Sequence, residues 1–136
     1  MAAFHIHALA GITVGMVSQG NPAGYPLALL SHAPLDDLNS GVFSWNHSYS
    51  TGWLNKLYIL FTVMVTAIVL WKLYHSPYLI PYAICACLPD AEHPIRWLRK
   101  KRGYWIHTYM SWAGFQGEWG IIMWVLMATL AVLVIL

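Results

Sequence analysis

Two runs almost free of polar side chains, LYILFTVMVTAIVL at 57–70 and IIMWVLMATLAVLVIL at 121–136, decide most of what this chain can fold into. About 20 such residues cross the hydrocarbon core of a bilayer as a helix, and inside hydrocarbon only helices and closed barrels satisfy their own backbone groups. Composition agrees: charged residues make up 9% of the 136, against about 25% in an ordinary soluble domain. Eight tryptophans and eight tyrosines suit aromatic belts at the two water interfaces. The expected fold is a single all-α integral membrane domain over 1–136, with four to five membrane segments, some of them short or re-entrant.

The basic residues orient these segments. Arg96, Arg99, Lys100, Lys101 and Arg102 crowd into WLRKKRG, and basic loops stay on the cytoplasmic side, where they also meet anionic lipid headgroups. A loop that short between membrane segments is a poor reader of nucleic acid. Lys56 to Lys72 is the clearest expected span, with its lysines able to snorkel and Trp53 and Trp71 near the interfaces. Residues 78–88 return as about half a crossing, stopped by Pro89 and Pro94. Residues 4–19 and 25–38 form a hairpin across QGNPAG, in which Gly11 and Gly15 have the spacing that lets a neighbouring helix approach closely. Residues 103–117, GYWIHTYMSWAGFQG, lie along or dip into the cytoplasmic interface, and Glu118 to Leu136 cross outward. The apolar end AVLVIL points to a covering partner or a longer natural chain. Cys85 and Cys87, two apart, face nearly opposite sides of a helix and are read as buried free thiols.

This threading gathers most of the acids and histidines, including His7, Asp36, Asp90, Glu92, His93 and His107, at the cytoplasmic face, with His32 a turn deeper. Ionisable groups at membrane depth are costly and tend to mark a site or a pairing. His32 and Asp36, four apart in SHAPLDD, share a helical face unless Pro34 intervenes. Asp90 and His93 form a second spaced pair in LPDAEHP, with Glu92 as a spare carboxylate or general base, and His107 can complete a coordination shell. Imidazoles and carboxylates from three segments suit zinc, manganese or iron, and a divalent ion so held can drive hydrolysis. The plainer readings are helix caps for Asp36 and Asp37, and a solvated network of Asp90 or Glu92 with Arg96 or Arg99. Histidines near tryptophans also suit haem or a chlorophyll-like pigment.

On these residues the chain resembles the small bacterial and archaeal membrane-bound metal-dependent hydrolases. Those proteins carry a histidine before a glycine-bearing first helix, matched here by His7 and Gly11. Their LPDxDHP element is similar to LPDAEHP, their HRGxTHS element to KRGYWIHTYMS, and their SHxxxD element to SHAPLDD, with His47 further along. Glu92 replaces an aspartate, Lys101 stands in place of a histidine, and the SHxxxD element comes first instead of last. The resemblance implies metal ligands at His7, His32, Asp36, Asp90, His93 and His107, Glu92 as catalytic base, and a prokaryotic inner membrane, in which the basic loop puts the N-terminus in the cytoplasm. Partners expected from the sequence are membrane lipids and, if the chain is instead an accessory subunit, other membrane proteins.

Overall fold

The computed structural model describes residues 4–35, 53–92, 128–129 and 131–136, with the backbone alone at 53–59. Every regular element among them is helical. α1 runs over Phe4–Val17, α2 over Tyr25–Leu30, α3 over Trp53–His75 and α4 over Ile80–Cys87. Residues 32–35 resume a helical path after a turn at Ser31, and helical residues recur at 128–129 and 131–135.

Each break has a local cause. α1 ends in a Schellman motif: the Gly20 N–H donates to the Gly15 carbonyl at 2.9 Å, the Gln19 N–H to Met16 at 3.0 Å, and Gln19 takes the left-handed conformation at φ 52°. Asn21 then caps a 3-10 turn over Pro22–Gly24, its side chain accepting from the Ala23 N–H at 3.0 Å. At the end of α3, Pro77 follows Ser76, which leaves the helical region at φ −139°, ψ 68°, as a following proline disfavours helical backbone in the residue before it. The His75 ring donates from Nδ1 to the Trp71 carbonyl at 2.9 Å, and Lys72 Nζ donates to the Ile135 carbonyl at 2.8 Å, tying the C-terminal helical residues to α3.

The core lies where α1, α3 and α4 meet. Leu9 and Ile12 of α1, Val65 and Val69 of α3, Leu79 and Ala83 are buried together with Ile135. α1 and α4 approach closely because Gly11 and Gly15 face α4: a methyl on Gly11 would overlap the Tyr82 carbonyl oxygen, and one on Gly15 would lie 2.8 Å from Leu79 Cδ2. The close-approach role expected of these two glycines is the one the fold uses.

Much of the outward surface is apolar. Leu60, Val63, Met64, Leu70 and Trp71 of α3 are exposed, as are Ile80 and Ile84 of α4 and Leu27 and Leu30 of α2. Among the described residues, no single helix is both long and apolar enough to cross a membrane. Leu60–His75 and Pro77–Ala91, bent by 114° at Ser76, have the length and composition only as a pair. The span expected over Lys56–Lys72 falls within the unbroken helix α3, of which only Leu60–His75 has described side chains. Residues 104–127 lie outside the description.

Candidate metal centre

The two turns that reverse the chain, at 18–21 and 76–79, sit at one end of the helical cluster, where Gly20 lies against the Tyr78 ring. The start of α1, the residues after α2 and the end of α4 therefore come together at the other end. Three ionisable side chains meet there: His7 from the second turn of α1, His32 from the segment after α2, and Asp90 from a 3-10 turn over Leu88–Ala91 that follows α4. Their relative exposures are 0%, 1% and 3%, and groups of this kind are seldom so buried without a specific role.

The geometry is compact. The imidazoles of His7 and His32 stack with centroids 3.8 Å apart and planes 18° from parallel. Each ring turns its Nε2 toward a different oxygen of one carboxylate: His7 Nε2 is 3.8 Å from Asp90 Oδ2, and His32 Nε2 is 3.7 Å from Asp90 Oδ1. One ligand atom from each residue lies within 4.8 Å of the others, and the group could hold a metal ion. His32 Nδ1–H donates to the Ala86 carbonyl at 2.9 Å, so in the neutral ring the lone pair lies on Nε2, the nitrogen facing Asp90. A metal-ligating histidine is commonly fixed in this way, by a carbonyl or carboxylate on its other nitrogen.

The local sequence explains each placement. Pro89, second residue of the 3-10 turn, ends the α-helical path and brings Asp90 round to the interior. The break at Ser31, whose hydroxyl donates to the Ala28 carbonyl at 2.7 Å, offsets His32 from the line of α2. The Cys87 thiol reaches the Phe4 carbonyl at 3.5 Å and joins the end of α4 to the start of α1. Both cysteines are free thiols, but of the two expected to be buried only Cys87 is, Cys85 being half-buried.

Of the residues singled out in the sequence, the structure brings together His7, His32 and Asp90. Glu92 is half-buried two residues beyond Asp90 and is not in the group. Asp36, His93 and His107 lie outside the described residues, so the His32–Asp36 and Asp90–His93 spacings are not seen side by side. One participant the sequence reading missed is Ala86, which acts through its backbone. Its only sequence signal is its place just ahead of the helix-ending Pro89. No family, curated protein or solved structure matches the chain.

Proposed function

We propose that this protein is a membrane-embedded metal-dependent hydrolase acting on a phosphoester or lipid-like substrate at the cytoplasmic interface. The observation that carries the reading is the buried trio, with His32 held by Ala86 so that Nε2 faces Asp90. Two imidazoles and a carboxylate suit zinc, manganese or iron, and three protein ligands match the donor count of hydrolytic centres that keep a position open. A divalent ion there supplies Lewis acidity for attack on a phosphoryl or carbonyl centre. His7 and His32 contribute neutral nitrogen donors, Asp90 contributes the compensating negative charge, and Glu92 is the general base. Asp36, His93 and His107 are further ligands in this proposal.

The membrane setting is supported by the exposed apolar side chains of three helices and by the broken pair on either side of Ser76. The basic run 96–102 directs the trio's end to the cytoplasm. The resemblance to the membrane-bound metal-dependent hydrolases draws on the same residues, His7, His32 and Asp90 among them.

A second reading is a non-catalytic accessory subunit of a larger membrane complex, with the trio a structural element. The near-complete burial of all three side chains favours it. Elemental analysis of the detergent-purified protein for zinc, manganese, iron and magnesium, beside His32→Ala and Asp90→Ala, decides the first step. Near-stoichiometric metal lost in both variants, followed by turnover of a phosphoester panel, is the expected outcome for the hydrolase. Metal without turnover supports the subunit reading, and metal content unchanged by either substitution sinks the centre.

A further inference from the structure

The trio draws its members from three separate segments, so something must fix how far α1 stands from α4. The contact at which the helices touch lies one turn from the site on both sides. Gly11 is four residues after His7 on α1, and Ala86 is four residues before Asp90. A methyl built on Gly11 would come 2.9 Å from the Ala86 Cβ, besides overlapping the Tyr82 carbonyl. Residues four apart on a helix lie one above the other, so a displacement at Gly11 carries His7 with it. Ala86 itself is fully buried.

Ala86 also acts on the third member. It sits in the last turn of α4, where carbonyls lack a full set of intrahelical donors. Pro89, three residues on, has no N–H to return to it in the 3-10 path that follows. The His32 Nδ1–H fills that place at 2.9 Å. One residue therefore meets α1 through its side chain and His32 through its carbonyl.

We propose that Gly11 and Ala86 are the positioning residues of the metal centre, setting the His7–Asp90 separation through their contact and making Nε2 of His32 the ligating nitrogen. The inference rests on the metal-centre reading. Gly15 provides the control, because a methyl there meets Leu79 and Tyr82 side chains at 2.8 and 2.9 Å but lies a further turn from His7. Both substitutions strain the same helix pair, and only one adjoins the site.

The test is cobalt(II) titration of full-length, detergent-solubilised wild type, Gly11→Ala and Gly15→Ala, reading affinity and the visible absorption envelope, with helicity measured on the same samples. Gly11→Ala is expected to bind cobalt about tenfold or more weakly with an altered band envelope, whereas Gly15→Ala keeps the wild-type envelope. Equal effects from the two glycines at equal helicity would overturn the inference while leaving the centre standing. A wild type that binds no cobalt would remove the centre and this inference together. Should Gly11→Ala fail to fold, histidine 15N spectra of the zinc-loaded wild type decide the point, with the His32 signals assigned through their loss in His32→Gln. A protonated Nδ1 with zinc on Nε2 supports the assignment; zinc on Nδ1 overturns it.

Discussion

The helical cluster buries polar groups at both ends, and the two ends solve that problem differently. At the turn end, the Tyr82 hydroxyl donates to the Asn21 carbonyl and accepts from Ser18 Oγ at 3.3 Å, while its ring meets Tyr25 edge-on with centroids 4.6 Å apart. That network is neutral, and its donors and acceptors close on one another within the chain. At the other end, two imidazoles face one carboxylate at 3.7 and 3.8 Å, a spacing wider than a direct hydrogen bond and suited to an ion reached by all three. Neutral hydroxyl and carbonyl groups are enough to pin two turns together. A carboxylate and two histidines cost more to bury, and this group could hold a metal ion.

Substitutions at the two ends can break or sharpen this contrast. The largest effect is expected from Asp90→Ala, which removes the only carboxylate of the trio: metal should fall from near-stoichiometric to background in elemental analysis, with helicity by circular dichroism retained. Full metal retention would make the trio as structural as the turn end. Next, Tyr82→Phe should leave metal content unchanged while lowering stability by about 1–1.5 kcal/mol, because the buried tyrosine loses its part-buried hydrogen bond to the exposed Asn21; thermal unfolding in detergent reads this. Loss of metal in Tyr82→Phe would show that the two ends are coupled and not separate devices. Ser18→Ala removes the weaker of the two contacts and should cost about 0.5–1.5 kcal/mol in the same assay. The smallest change has the opposite sign: Gln19→Gly relieves a left-handed residue at the end of α1 and should stabilise by up to about 1 kcal/mol, seen as a modest rise in unfolding temperature.

Much of this was legible in the sequence, and the parts that were not share a cause. The helical class, the reversal at QGNPAG, the break before Pro77 and the stop at Pro89 follow from hydropathy and from glycine and proline positions. His32 and Asp90 stood out because SHAPLDD and LPDAEHP place ionisable groups behind apolar runs. Spacing within one segment, however, points each of them to a nearby partner, Asp36 or His93, whereas the trio takes one residue from each of three segments. His7, in FHIHALAGITVGMV, has no ionisable residue three or four positions on, so local pattern gives it only a supporting part. Its neighbours are set by the α1–α4 crossing, of which the Gly11–Gly15 spacing is the faint trace. The Ala86 carbonyl leaves no trace in residue type, because every residue has one. The expected membrane segments are legible only as hydropathy, and the structure bends by 114° between Leu60–His75 and Pro77–Ala91, where the sequence reads as one long span and its return.

The Leu88–Ala91 turn has a consequence for how the protein comes into being. His7 and His32 leave the ribosome early, within one hairpin, but Asp90 follows only after the whole of α3 and α4. Until Asp90 has been made, the two imidazoles lack the carboxylate they face in the folded chain. The group formed by His7, His32 and Asp90 is therefore complete only once the chain has been made as far as the Leu88–Ala91 turn.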